Sequence, residues 1–323
     1  MGLTLGVLGG LTSMRGYSVV FTDVRDLGPS PHWSKQRHGK LGNYVGGKVM
    51  STEVPPEDNS IVANGIRTNY LEAGSGPPVV LIHGSGPGVT AYANWRLTIP
   101  ALAERFRVLA PDMVGFGGTE RPPGVVYDLK TWADQVVGFL DAHGIERASL
   151  VGNSFGGAIA LRVATQHPER VGRLALMGSA GVSFPLTDGL DAAWGYQPSI
   201  ENMRRLLDIF AYSRELVTDE LAEVRYRASI EPGIQEAFST MFPEPRQNGV
   251  DALVTPEEDL ARLPHETLVI HGREDRVVPL SSSIRLMEVI PKAQLHVFGR
   301  SGHWTQIEWA EKFNQLLNDF LAN

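Results

Sequence analysis

Ser154 stands in Gly152-Asn153-Ser154-Phe155-Gly156, between the apolar run Ala148 to Val151 and a helix-like stretch from Gly157 to His167. A Gly-x-Ser-x-Gly pattern sets its serine on a tight strand-to-helix turn, with the hydroxyl clear of the backbone and available as a nucleophile. There the Phe155 amide can point at a developing oxyanion, and the positive end of the helix dipole favours negative charge. Such a pentapeptide also recurs by chance, so the chemistry depends on an acid, a base and a second oxyanion donor in the right order.

Chain order supplies all three. The strand-like run Thr267 to Ile270 leads into His271-Gly272-Arg273-Glu274-Asp275-Arg276, which places carboxylates just beyond a strand end. Asp275 is the expected acid, its shorter side chain suiting a Gly-x-x-Asp turn, with Glu274 as its rival. A second run, Gln294 to Phe298, leads into Ser301-Gly302-His303-Trp304, so His303 is the expected base. The order Ser, Asp, His is that of α/β-hydrolases and not of the chymotrypsin or subtilisin types. Upstream, Pro78 to Ile82 ends in His83-Gly84-Ser85-Gly86-Pro87-Gly88. The exposed amides of that loop, that of Ser85 above all, would join Phe155 in an oxyanion hole. The loop has no Gly-Lys-Ser/Thr and no Gly-x-Gly-x-x-Gly opening a helix, which argues against nucleotide binding. His143, His167, His265 and His296 lack such partners and read as surface or packing residues.

The elements that must hold these groups follow a regular pattern. Asn64-Gly65, between Ile61-Val62-Ala63 and the run Ile66 to Leu71, reads as a hairpin turn. Strand-like runs then alternate with helical ones: Val79 to Ile82, a helix near Ala91 to Glu104, Phe106 to Ala110, a helix near Leu129 to His143, the nucleophile strand, and Leu174 to Met177. This alternation predicts an α/β fold, a mostly parallel sheet with helices on both faces. From Ser183 to about Leu263 amphipathic helical patterns take over, among them Met203-Leu206-Leu207-Ile209-Phe210 and Leu216 to Ala228. The insertion is expected to form a helical lid over residues 183–263, above a core of residues 50–182 and 264–323.

With 323 residues, 42% hydrophobic and 20% charged, the chain suffices for one large α/β domain with an insertion. The absence of cysteine excludes disulfides, thiolate metal sites and a cysteine nucleophile. A net charge of −7 offers no basic footprint for nucleic acid or anionic membranes. No apolar stretch reaches the roughly 20 residues that span a bilayer, and no His/Asp/Glu group has metal-ligand spacing. The expectation is a cytoplasmic protein with no cofactor and no metal. The first 49 residues stand apart: Arg15, Arg25, Lys35, Arg37, Lys40 and Lys48 face only Asp23 and Asp26. Glycine-rich and without sustained periodicity, this stretch is expected to be a disordered or mis-assigned extension, with Met50 as the functional start. Its apolar Leu3 to Leu11 run has no basic segment before it, and the N-terminus lacks the Ser or Thr of a myristoylation signal.

Together, His83-Gly84-Ser85-Gly86-Pro87-Gly88, Asn94-Trp95, Gly152 to Gly157, His271 to Asp275 and Gly302-His303-Trp304 resemble the meta-cleavage-product hydrolases, carbon–carbon bond hydrolases of aromatic degradation. Ser183-Phe184-Pro185, Ala192 to Tyr196 and Arg225-Tyr226 look most like the 2-hydroxymuconate semialdehyde hydrolases of phenol and toluene pathways. The resemblance runs from about Asn59 to Leu321. It implies that His303 mediates proton transfers while Asp275 orients it, and that Ser154 attacks a ketone or aldehyde carbon, through either an acyl-enzyme or a serine-assisted gem-diol. It also implies that Arg225 binds a substrate carboxylate or enolate. Gly84, Asn94, Asn153 and Trp304 match substrate-pocket positions, and Trp194, Phe238 and Phe242 bear on the substituent that the pocket accepts. The products implied are 2-oxopent-4-enoate (2-hydroxypenta-2,4-dienoate) and formate, and a homodimer or larger homo-oligomer is the family expectation. The alternatives are a hydrolase for alkyl- or aryl-substituted dienones, a carboxylesterase or lactonase that would not need Arg225, and a non-catalytic receptor on the same fold. A dehalogenase of this fold would need a carboxylate where Ser154 stands.

Overall fold

Nine strands form one sheet among the residues that the computed structural model describes, 19–22 and 58–323. They are β1 (Val19–Thr22), β2 (Asp58–Ala63), β3 (Ile66–Ala73), β4 (Pro78–Ile82), β5 (Arg107–Pro111), β6 (Ala148–Asn153), β7 (Val171–Met177), β8 (Thr267–Gly272) and β9 (Ala293–Phe298). Across the sheet the order is β1-β9-β8-β7-β6-β4-β5-β3-β2. The pairs β2/β3 and β3/β5 are antiparallel and all the others parallel. The hairpin turns where expected: Asn64 (φ 48) and Gly65 (φ 79) both take positive φ, as a two-residue type I′ turn requires.

Side-chain alternation lets each central strand feed two cores. Val80 and Ile82 of β4 join one apolar cluster, Val79 and Leu81 the other, which is why the strand reads as a continuous apolar run. Helices α1 (Ala91–Trp95) and α2 (Ile99–Ala103) bury Trp95 and Leu102 in the second cluster. A single helix over Ala91 to Glu104 is not what forms. Pro100 has no N–H to continue the ladder and sits instead in the first turn of α2, where none is needed, while the Thr98 amide closes a turn on Trp95 O at 2.8 Å. On the opposite face α3 (Leu129–Ala142) and α4 (Phe155–Gln166) contribute Trp132, Phe139 and Ile159.

Between β7 and β8 the chain leaves the sheet for α5 (Asp188–Trp194), α6 (Ile200–Phe210), α7 (Asp219–Ser229), α8 (Ile234–Met241), α9 (Gln247–Ala252) and α10 (Glu257–Leu260). It returns through α11 (Leu280–Val289), α12 (Thr305–Glu308) and α13 (Ala310–Ala322). Because β5 lies on one side of β4 and β6 on the other, the chain reverses its direction across the sheet at β4. Parallel sheets open a crevice outside the strand ends at such a switch point. The loops after β4, β6, β8 and β9 are those carrying Ser85, Ser154, Asp275 and His303. Of the extension expected over residues 1–49, only 19–22 are described, and they form β1, parallel to β9; Met50 also lies outside the described residues. Among the described residues no helix is long and apolar enough to cross a membrane.

Candidate active site

Ser154 sits between the last residue of β6 and the first of α4 with φ 54 and ψ −116, a conformation that costs a non-glycine residue about 1–3 kcal/mol. Its own backbone holds the turn: the amide donates to Met177 O at 2.8 Å, and the carbonyl accepts from Gly157 at 2.9 Å and Ala180 at 3.1 Å. Close approach explains the second glycine, since a Cβ on Gly156 would stand 2.3 Å from Ile82 O. The helix starts at Phe155, earlier than the sequence pattern marks, because Ser154 takes the N-cap position without spending its hydroxyl on a capping bond.

Asp275 Oδ2 lies 2.7 Å from His303 Nδ1, and Oδ1 accepts the amides of Val277 (2.7 Å) and Val278 (3.1 Å). Burial alone would raise this carboxyl; the adjacent His303 and the Val277 amide outweigh it and hold Asp275 below its ordinary value. Glu274 faces elsewhere, accepting from Arg273 and from the Ser301 amide, so the rivalry resolves in favour of Asp275. A second buried imidazole, His271, lies 3.5 Å from Asp275 Oδ2. Its Nε2 meets Val278 O at 3.1 Å and its Nδ1 the Ser283 hydroxyl at 2.7 Å. A carbonyl can only accept, so the proton is assigned to Nε2, and burial keeps this ring neutral by lowering its pKa.

The loop after β4 is held just as firmly. His83 Nε2 accepts the Met113 amide at 2.9 Å, which leaves Nδ1–H to donate to Gly84 O at 2.7 Å; burial pushes this pKa down too. The Gly84 amide is taken by Asn94 Oδ1 at 3.3 Å, and Ser85 Oγ accepts from the Trp194 indole at 3.0 Å. No backbone acceptor in the turns and loops takes the amides of Ser85 and Phe155 among the described residues, which suits them to receive an oxyanion.

Lid and core line a pocket with about 420 Å³ of empty space, part of it open to solvent. Eight of the ten residues expected at the site line it, namely Gly84, Ser85, Asn94, Asn153, Ser154, Arg225, His303 and Trp304. Asp275 and Phe155 lie behind its wall, where one braces His303 and the other presents only its amide. Arg225 of α7 is buried; a terminal guanidinium nitrogen (Nη2) donates to Pro87 O at 3.1 Å and Nε has no partner among the described residues. It forms no ion pair among the described residues, and burial, helped by Arg96, lowers its pKa to about 10. The Nδ2 of Asn94 is likewise buried without a partner. Asn153 Nδ2 reaches Met177 O at 3.4 Å. Arg225 Nε and Asn94 Nδ2 are thus donors with hydrogen-bonding capacity to spare, and the guanidinium adds positive charge.

Sequence reasoning did not mark Leu190 or Val277, which together with Phe210 of the expected lid stripe supply apolar wall, nor the bond from Trp194 to Ser85. Trp194 is stacked on Phe242 at 4.2 Å and 1°, and Phe242 meets Phe238 edge-on at 5.7 Å. Within an amphipathic lid helix, pocket and core residues carry the same apolar signal. The histidines set aside are indeed surface or packing residues: His143 lies against Tyr70 and Phe139, His265 is bonded to Pro168 O at 2.9 Å, His296 lies against Phe298, and His167 is half-buried with its Nδ1 4.0 Å from a Glu169 carboxylate oxygen.

A family model of the alpha/beta hydrolase fold matches residues 77–310. The 2-hydroxymuconate semialdehyde hydrolase of Pseudomonas sp. (strain CF600) is 62% identical over 268 residues, covering 83% of this chain and 95% of that protein. The 2-hydroxy-6-oxo-2,4-heptadienoate hydrolase of Pseudomonas putida is 59% identical over 262 residues, covering 81% and 95%. Among solved structures, a meta-cleavage product hydrolase from Pseudomonas fluorescens IP01, a serine-to-alanine variant complexed with acetates, superposes with a TM-score of 0.81 at 62% identity, covering 82% of this chain and 98% of that one.

Proposed function

The chain belongs to the meta-cleavage-product hydrolases of the α/β-hydrolase fold, and from that premise we propose that it cleaves the carbon–carbon bond of 2-hydroxymuconate semialdehyde, with water, to 2-oxopent-4-enoate (2-hydroxypenta-2,4-dienoate) and formate. The observation that carries this reading is Arg225, a buried guanidinium without an acidic partner among the described residues that lines the cavity of Ser154 and His303. An ester substrate has no use for such a cation, whereas a dienoate brings the carboxylate that it lacks.

The chemistry then follows from the geometry. Arg225 and the free Nδ2 of Asn94 take the carboxylate and its neighbouring oxygen, which sets the aldehyde end toward Ser154. His303 moves the proton of the dienol hydroxyl to the carbon next to the aldehyde, giving a ketone that can accept electrons at cleavage. Ser154 adds to, or assists water in adding to, the aldehyde carbon; its oxygen becomes an oxyanion facing the amides of Ser85 and Phe155. Collapse of that adduct breaks the carbon–carbon bond, its electron pair passing into the ketone as a dienolate that takes a proton from His303; the water adduct leaves directly as formate, whereas a formyl group left on Ser154 is released as formate when water, deprotonated by His303, attacks it and the serine regains its proton. Asp275, anchored by two amides, keeps the proton of His303 on Nδ1 so that Nε2 faces the reaction.

Trp194, stacked on Phe242 and tied to Ser85, narrows the pocket and supports a hydrogen on the acyl carbon in preference to a phenyl group. A cytoplasmic location and a homodimer or larger assembly belong to the same reading. The test follows the yellow ring-fission product of catechol spectrophotometrically, with wild type and Ser154→Ala. Wild type should bleach it, with kcat/KM falling from hydrogen to methyl to phenyl substituents. Ser154→Ala should retain ketonisation while cleavage slows by at least about a thousandfold. Absence of bleaching by wild type, with fast turnover of a simple aryl ester, would identify an esterase instead; equal losses in both steps would remove the role given to Ser154.

A further inference from the structure

Glu308 closes α12 and points back beneath the site. Oε1 accepts the amides of Tyr212 (2.7 Å) and Ser213 (2.8 Å), which follow lid helix α6. Oε2 accepts the Gly302 amide at 2.6 Å and the Ser301 hydroxyl at 3.4 Å, in the loop that carries His303. A further bond joins the same two segments, from the His303 amide to Phe210 O at 2.8 Å. They approach so closely that a Cβ on Gly302 would stand 2.5 Å from Phe210 O and 2.9 Å from the Tyr212 nitrogen. The Phe210 ring lies 6.1 Å from that of His303 and 5.4 Å from that of Trp304, and all three line the cavity.

We propose that Glu308 is a positioning residue for the reaction: it locks the end of lid helix α6 to the His303 loop, so that the imidazole and the Phe210 wall are set as one unit. Four donors converge on it, two per oxygen, and among side chains only a carboxylate offers acceptors on both sides. Glutamine would turn an NH2 group toward one of the two pairs and cut the lock there. The carboxylate touches no cavity-lining side chain that reacts; its effect passes through the backbone of residues 301–303 on one side and 210–213 on the other.

The proposal rests on His303 carrying the proton transfers assigned above. Single-turnover absorbance traces of the ring-fission product with enzyme in saturating excess test it, because first-order rates there are insensitive to the fraction of folded protein. Glu308→Gln should slow ketonisation and cleavage together, on the order of ten- to a hundredfold, with little change in the enzyme concentration at which the rates saturate. Ser213→Pro removes one lid donor at a residue whose φ of −75 proline accepts, and should give a smaller loss in the same direction. A lock opened at either end is open, so the double variant should be no slower than Glu308→Gln alone. A lower Tm with unchanged single-turnover rates would make Glu308 a structural weld and overturn the proposal, as would losses that simply multiply. Wild type that leaves the substrate uncleaved is a different result, one that removes the functional reading underneath.

Discussion

Replacing Arg225 with methionine separates what this guanidinium costs the fold from what it gives the site. Only 9% of the residue is exposed, and among the described residues its one acceptor is Pro87 O and its Nε has no partner. Burial lowers its pKa from the ordinary guanidinium range to about 10, which at about 1.4 kcal/mol per factor of ten is a penalty of roughly 3 kcal/mol on the charged form. For a cation depressed in the folded state, that penalty is present at every pH below about 10 and fades only above it. Methionine has a similar reach and no charge; it forfeits the Pro87 bond, about 1–2 kcal/mol. The free enzyme should therefore gain on the order of 1–2 kcal/mol, a Tm higher by a few degrees. Substrate loses a charge-assisted contact of about 1.5–3 kcal/mol, so kcat/KM on the ring-fission product should fall about ten- to a hundredfold, mainly through KM. Thermal melts of the free enzyme and steady-state kinetics measure the two sides, with a neutral aryl ester as the control that should be spared. A lower Tm with KM unchanged would refute the reasoning and leave Arg225 as a brace for the Pro87 loop.

Asp275→Asn should cut kcat by about four orders of magnitude with little loss of stability. The Val277 and Val278 amides hold the carboxamide oxygen on their side, so its NH2 faces His303 Nδ1 and drives the proton to Nε2, where it blocks acceptance from Ser154. Turnover within about tenfold of wild type would show that the histidine tautomer is immaterial. Stability should also respond to acid: burial holds His83 and His271 neutral, with pKa values below the unfolded value of about 6.5. Protons then bind the unfolded chain first, so Tm should be level above about pH 7 and decline as pH falls through 6.5. A Tm unchanged between about pH 7 and pH 5 would contradict it.

The sequence by itself determined the order of the candidate catalytic groups and the elements that carry them. Gly-x-Ser-x-Gly, the carboxylates after β8, the histidine after β9 and the glycine-rich loop after β4 are local signals: each needs only a strand end and a tight turn, and both leave a record in residue type. The hairpin at Asn64-Gly65 is legible for the same reason, whereas the break at Pro100 was written in the chain and outweighed by apolar periodicity on either side. The sequence favoured Asp275 over Glu274 on side-chain length, and tertiary structure showed why their places differ, with the Ser301 amide as partner of one and the Val277 and Val278 amides as partners of the other. Tertiary structure alone brought Arg225 to Pro87, Trp194 to Ser85, and Glu308 to both the lid and the His303 loop. Such contacts join segments far apart in the chain, and their geometry depends on how the lid packs over the sheet. No local period encodes that packing, because a residue facing a cavity and one facing the core are equally apolar until the two layers meet.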